Sequence, residues 1–133
     1  MHVDKQLSVF LENKPGTLAA MCEALAEQDV NLLAMTVSDT VDHAVVRMVV
    51  DKPETAVQIL GESGTLVVTN EVLIIEVANY PGALAEMTKR LARNRINIEY
   101  AYCTTNESQP EGILVVRTHD PEGAMQTLGG NAG

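Results

Sequence analysis

Apolar side chains recur along the chain with two different spacings. A period of two residues is typical of a half-buried strand, and it occurs at Leu7, Val9 and Leu11. A spacing of i, i+3, i+4 and i+7 is typical of an amphipathic helix, and it occurs at Leu18, Met21, Cys22 and Leu25. Further strands are predicted over residues 32–37, 44–50 and 65–68, and a second helix over residues 51–61. The first half of the chain therefore has the predicted order βαββαβ.

The second half of the chain repeats this pattern. A shift of 66 positions places one set of residues on identical ones: Asn13, Pro15, Gly16, Leu18, Met21 and Asn31 fall on Asn79, Pro81, Gly82, Leu84, Met87 and Asn97. Strands are predicted over residues 71–78, 98–103 and 113–117, with one helix after Pro81 and another over residues 120–129. The chain then ends in a glycine-rich segment that leaves no room for a last strand.

This order predicts an α+β fold made of two ferredoxin-like βαββαβ units, with an antiparallel sheet and the helices on one face. The first repeat is residues 1–69 and the second is residues 70–133. Because the second repeat lacks its last strand, we expect residues 71–78 to form a sheet edge unless another chain covers it. That edge predicts at least a homodimer.

Composition and charge exclude several classes of protein. The 133 residues are 46% apolar, enough for a folded core, and the net charge of −9 disfavours nucleic acids and anionic membranes as partners. Cys22 and Cys103 lie far apart without metal-binding spacing, which predicts a reducing, cytoplasmic location with neither a disulfide nor a metal. No signal peptide or apolar run long enough to span a membrane is visible.

A search for catalytic residues finds none in a recognisable arrangement. The segment Gly61-Glu62-Ser63-Gly64 lacks the second glycine of a nucleophile elbow, and the three histidines are scattered at positions 2, 43 and 119. No phosphate-binding or dinucleotide-binding motif is present. We therefore expect a protein that is not an enzyme and that has no cofactor.

The repeated motif Asn-x-Pro-Gly-x-Leu, beginning at Asn13 and Asn79, has two interpretations. It could be a strand-to-helix turn in which asparagine caps the helix and proline opens its first turn. It could also present helix N-terminal N–H groups to a carboxylate, with the asparagine amide binding a zwitterion. Tyr100 and Tyr102, on one face of a predicted strand, could likewise fill the core or line a pocket.

The two motifs, each followed by an amphipathic helix and an Asn-Leu or Asn-Ile pair, resemble a tandem pair of ACT domains over almost the whole chain. The resemblance implies a regulatory protein that binds a small effector, usually an amino acid, without catalysis, and that controls an enzyme of amino-acid metabolism. An alternative is a detached regulatory subunit that binds a partner enzyme through its sheet and binds no ligand.

By resemblance to serine-binding ACT domains, the turn asparagines and the asparagines opening the second strands would contact the effector. The implied ligand-binding residues are Asn13, Lys14, Pro15, Gly16, Thr17, Leu18, Asn31, Leu32, Asn79, Tyr80, Pro81, Gly82, Ala83, Leu84, Asn97 and Ile98. We expect the repeats to pair within one chain, second strand to second strand, so that Asn13 shares a site with Asn97 and Asn79 with Asn31. Leu11 and Val77 stand where those serine-binding domains have histidine, which argues against serine itself.

Overall fold

The structure, a computed structural model, describes residues 1–40 and 42–130. Its elements are β1 (His2–Glu12), α1 (Thr17–Glu27), β2 (Leu32–Asp39), β3 (His43–Val50), α2 (Pro53–Glu62), β4 (Leu66–Ala78), α3 (Ala83–Arg93), β5 (Tyr100–Thr104), β6 (Glu111–Arg117) and α4 (Pro121–Gly130). The predicted α+β class is confirmed.

Two compact units divide the chain. The first unit is Lys5–Asn70, and the second unit combines Met1–Asp4 with the chain from Glu71 onward. β1 and β4 are hydrogen-bonded neighbours, and each of these two strands contributes residues to both units. The strand order is therefore β2-β3-β1-β4 in the first unit and β1-β4-β6-β5 in the second. Both are ferredoxin-like sheets, as predicted.

The prediction that residues 71–78 form a bare sheet edge is wrong. The segments predicted as separate strands at 65–68 and 71–78 are one strand, β4. In the second unit, the start of β1 takes the place of the missing last strand: Val3 packs against the apolar core, and the N-terminal ammonium lies 2.6 Å from Glu76 Oε2. The hydrogen bond from that ammonium lowers the pKa of Glu76. The bare edge therefore gives no reason for a homodimer.

Each unit buries one apolar cluster between its helices and one face of its sheet. Alternate residues of the strands point into these clusters, as the period of two predicts, and the i, i+3, i+4 positions of the helices meet them. The fully buried members of the first cluster include Leu7, Leu25, Met48 and Leu60. Those of the second include Leu73, Leu91, Val116 and Leu128. Cys22 packs against the first cluster and is half-buried, so its placement on the apolar stripe is confirmed.

The second strand of each unit is paired on one side only. β2 pairs with β3 and β5 with β6, and within the described residues neither has another hydrogen-bonded neighbour. The predicted pairing of second strand to second strand within one chain is therefore wrong. A register shift between Leu32 and Ala34 marks a bulge in β2, and this strand exposes Leu33, Met35 and Val37.

Candidate functional site

The turn between the first strand and the first helix has the same geometry in both units. Gly16 and Gly82 are the N-cap residues, with φ of 92° and 93°, and neither helix has a side-chain hydrogen bond at its cap. Two expectations are thereby wrong: asparagine does not cap the helix, and Pro15 and Pro81 precede the N-cap instead of opening the first turn. The N–H groups of the first helical turn are thus left without a capping side chain.

Glycine is needed at these turns because of its backbone and not because of crowding. A Cβ built on Gly16 or Gly82 meets no atom within 4 Å, so a side chain there would not clash with the rest of the protein. The positive φ is the constraint, since a β-branched residue in the left-handed region is strained by about 1–3 kcal/mol.

We therefore expect Gly82→Val to lower the free energy of unfolding by about 1–3 kcal/mol, because valine cannot relax at this φ without moving the turn. Gly129→Val at the end of α4 is the control, since Gly129 has no positive φ and its Cβ also meets open space. Urea denaturation of both variants measures the difference, and equal losses would contradict the backbone explanation.

Asn79 ties the turn of the second unit to the loop between β5 and β6. Its side-chain amide donates hydrogen bonds to the carbonyl oxygens of Asn106 (2.7 Å) and Gln109 (2.8 Å). Its backbone N–H donates to the Pro110 carbonyl oxygen at 3.0 Å. Both amide hydrogens are therefore engaged, while Oδ1 accepts no hydrogen bond within the described part of the chain.

Asn13, the equivalent residue of the first unit, is held differently. Its amide donates to the Asp39 carboxylate at the end of β2. The Thr17 hydroxyl donates to the carbonyl oxygens of Glu12 (2.9 Å) and Lys14 (3.1 Å), and the Lys14 ammonium lies 3.0 Å from Glu12 Oε2. These contacts pair the polar groups of this turn with other protein groups, and Lys14 and Thr17 also line a wide cavity of about 610 Å³.

The turn of the second unit borders a pocket of about 130 Å³. Its walls are the end of β4, the start of α3 and the facing ends of β5 and β6. The lining residues are Val77, Ala78, Asn79, Tyr80, Ala83, Leu84, Cys103, Thr104, Thr105, Gly112, Ile113 and Leu114. Cavities of about 150 Å³ hold a benzene-sized molecule, so this pocket suits a small metabolite.

The lining of this pocket is mostly apolar and carries no Asp, Glu, Lys, Arg or His. Its polar groups are the Asn79 amide, two threonine hydroxyls, the Tyr80 phenol, the Cys103 thiol and the backbone at the helix start. Tyr80 Oη donates a hydrogen bond of 2.8 Å to Glu86, and this bond raises the pKa of Tyr80. The pocket thus lacks a counter-charge for an ionised ligand side chain.

Ala83 of the second unit is the repeat equivalent of Thr17. Alanine has no hydroxyl to bond the turn carbonyls, and its side chain is small, so the space next to the turn stays open. The repeat therefore has the same backbone at both turns but different chemistry around them.

The ligand-binding residues predicted at the start of the second strands lie away from the turns of their own units. Asn31 is bonded through its backbone to Asp51, and the Asn97 carbonyl oxygen accepts from Thr118 Oγ1. An 11-residue helix such as α1 spans about 16 Å, so one unit does not bring Asn31 or Leu32 to the turn at its opposite end. Asn97 and Ile98 are separated from the Asn79 turn by α3 in the same way.

Sequence reasoning missed the far wall of the pocket. Cys103, Thr104, Thr105, Gly112, Ile113 and Leu114 line it, yet none belongs to the turn motif. Gly112 was the signal that the sequence offered, because glycine inside a strand often marks a close approach of another backbone segment. In the structure, a Cβ at this position would lie 2.5 Å from the Thr104 carbonyl oxygen. Tyr100 and Tyr102 are half-buried opposite Arg117 and Val115 and do not line this pocket.

No helix among the described residues is long and apolar enough to cross a membrane. No group of three or more His, Cys, Asp or Glu side chains within residues 1–40 and 42–130 could hold a metal ion.

A family model and several solved structures match this chain. A family model described as an ACT domain pair matches residues 1–129. No curated protein matches the chain.

Several solved structures share the fold over nearly the full chain. A protein from Bacteroides thetaiotaomicron is 33% identical with a TM-score of 0.88, over 96% of this chain and 88% of that one. The ligand-free regulatory subunit of aspartate kinase from Thermus thermophilus is 17% identical with a TM-score of 0.70, over 98% and 97%. The corresponding subunit from Thermus flavus is 18% identical with a TM-score of 0.63, over 97% and 94%.

Proposed function

The chain belongs to the family of ACT domain pairs, and on that premise we propose that it is a non-catalytic regulatory protein that binds an amino acid and controls an enzyme of amino-acid metabolism. The observation that carries this proposal is the pocket beside the Asn79 turn. Its position at the start of α3 suits a carboxylate, because the N–H groups of a helix N-terminus favour an anion.

The pocket chemistry supports a zwitterion with a small, uncharged side chain. The Asn79 Oδ1 is available to accept from an ammonium group, and the Thr104 and Thr105 hydroxyls lie in the same wall. The apolar remainder favours an aliphatic side chain over a charged one, since burying an unpaired charge is costly. A ligand of this size is expected to bind with a dissociation constant between about 1 μM and 1 mM.

Thermal-shift titration with each common amino acid tests the proposal. An effector at 100 times its dissociation constant is expected to stabilise the fold by about 2.7 kcal/mol. Ala83→Thr is expected to weaken binding roughly 10- to 100-fold, because it adds to the pocket the side chain that Thr17 places at the equivalent turn. Thr17→Ala is the matched control and is expected to leave binding unchanged. Binding that is insensitive to Ala83→Thr would move the site elsewhere.

A second candidate is a detached regulatory subunit that binds its enzyme without a ligand. It is favoured by the fold shared with separate aspartate kinase regulatory subunits, which this chain matches over 97% and 94% of their lengths. If no amino acid shifts the melting temperature while the chain co-purifies with an enzyme of amino-acid metabolism, this second function is correct.

The proposal also includes a cytoplasmic location and self-association. Cys22 and Cys103 are free thiols, as a reducing compartment favours.

β2 is an eight-residue edge strand whose exposed side chains include Leu33, Met35 and Val37. Natural proteins cover or interrupt such edges, which supports a homo-oligomer.

A further inference from the structure

A second cavity of the second unit adjoins the pocket beside the Asn79 turn. It measures about 410 Å³ and lies between the end of β4 and α3. Four residues line both cavities: Val77, Ala78, Tyr80 and Ala83. Four charged residues line the larger cavity and not the pocket: Glu76, Glu86, Arg90 and Arg93. An uncharged compartment therefore lies directly beside a charged one.

Tyr80 has the side chain that separates the two cavities. Of the other shared residues, Ala78 and Ala83 end at Cβ, and Val77 packs against the apolar cluster of the unit. Tyr80 Oη donates a hydrogen bond of 2.8 Å to Glu86 Oε2, and Glu86 lines only the larger cavity. The phenol ring therefore extends from the turn towards the charged compartment, along the boundary that the two cavities share.

The first unit lacks both partners of this hydrogen bond. With the 66-residue shift, Lys14 corresponds to Tyr80 and Ala20 corresponds to Glu86. One cavity of about 610 Å³ contacts Lys14 and Ala20 and continues to His43, at the start of β3. In the second unit, by contrast, the start of β6 lines only the smaller cavity. The Tyr80–Glu86 pair therefore coincides with the division of the space beside the turn.

The inner walls of the pocket are closed by the sheet and the core. Leu114 is buried in the apolar cluster, and Val77 is opposite Gly112 in the pairing of β4 with β6. A ligand side chain cannot pass between paired strands. Leu84 is 45% exposed, so a side chain directed past it would reach solvent. The larger cavity is therefore the direction in which a longer side chain could be buried.

We propose that Tyr80, held by Glu86, determines the specificity of the pocket for an amino acid with a short, uncharged side chain. The ring closes the way into the larger cavity and keeps the charged side chains of that cavity away from the ligand. A longer apolar side chain has to displace the ring or remain in solvent, and neither arrangement gains the full burial of its added methylene groups. This inference rests on the proposed function, because it concerns the selectivity of the same pocket.

A series of unbranched amino acids, from alanine through 2-aminobutyrate and norvaline to norleucine, tests the proposal because its members differ only in length. We expect the parent to bind norleucine roughly 10-fold more weakly than 2-aminobutyrate, because the longer side chain overfills the pocket. Calorimetric titration measures both dissociation constants.

Tyr80→Ala is expected to reverse this order, so that norleucine binds roughly 10-fold more tightly than 2-aminobutyrate. The two further methylene groups would then be buried against Ala83 and Met87, and each buried methylene is worth roughly a fourfold gain in affinity. Tyr80 is 50% exposed and lies outside the apolar cluster, so the variant is expected to fold. Its melting temperature checks this.

Leu84→Ala is the matched control, because Leu84 lines the pocket and not the larger cavity. It is expected to keep the parental order of the series. Glu86→Ala removes the group that holds the ring, and is expected to reduce the parental preference for 2-aminobutyrate over norleucine. Glu86→Gln keeps an acceptor for the Tyr80 hydroxyl and is expected to retain that preference.

The outcomes separate this inference from the proposed function. If the parent binds a member of the series and Tyr80→Ala keeps the parental order, Tyr80 does not limit side-chain length, and the inference alone is overturned. It is also overturned if Leu84→Ala reverses the order, since any enlargement of the pocket would then have the same effect. If neither the parent nor Tyr80→Ala binds any amino acid, the proposed function is wrong and this inference is overturned with it.

Discussion

Asn79→Ala is expected to weaken effector binding roughly 10- to 150-fold, because alanine removes the acceptor proposed for the ammonium group. It also removes two hydrogen bonds that fix the β5–β6 loop, those to the carbonyl oxygens of Asn106 and Gln109. At about 1 kcal/mol for each bond, the free energy of unfolding is expected to fall by about 2 kcal/mol.

Two other variants separate these roles. Asn79→Asp keeps an acceptor and loses the two donors, so it is expected to lower stability more than affinity. Asn13→Ala removes the bond to Asp39 at the turn of the first unit, outside the proposed pocket, and is expected to leave the effector affinity near that of the parent. Calorimetric titration and melting curves of the three proteins check both effects. If Asn79→Ala binds the effector as tightly as the parent does, the proposed role of this amide is wrong.

Val3→Asp is expected to destabilise the second unit by about 2–4 kcal/mol, because it places a carboxylate against an apolar cluster. The affected cluster includes Leu73 and Val116, on strands far from residue 3 in sequence. Hydrogen exchange is expected to accelerate at residues 71–78 and in β6, and to change much less in the first unit.

Val57→Asp is the control for that experiment. Val57 is 37% exposed on α2, so a carboxylate there remains hydrated and is expected to cost about 0.5 kcal/mol or less. If Val3→Asp costs no more than Val57→Asp, the first residues of β1 do not complete the second unit.

Much of the fold was predictable because local rules dictate it. The period of two and the helical spacing identified the strands and helices of both repeats, and the repeat itself identified two copies of one unit. The repeated motif identified the turn glycines, and the structure supplied the reason for them. Space around Gly82 is open, and the left-handed φ of its backbone is what requires glycine.

The candidate site was half predictable. The turn motif located Asn79 and Ala83, which line the pocket, because the motif determines local backbone geometry. The far wall, from Cys103 to Leu114, comes from strands brought there by antiparallel pairing. No local pattern encodes which loop carbonyl oxygens accept hydrogen bonds from the Asn79 amide. The role of Asn79 in fixing the β5–β6 loop was therefore not predicted.

By itself, the sequence determined the type and order of the elements and the duplication. These follow from spacing and side-chain size, which are properties of short segments. Only the tertiary structure decided that residues 1–4 complete the second unit, that β2 and β5 remain edges, and that Asn13 and Asn79 have different hydrogen-bond partners at equivalent turns. Those outcomes depend on which distant segments pair and on how side chains fill the space between them, and alternation along one strand does not specify its neighbour.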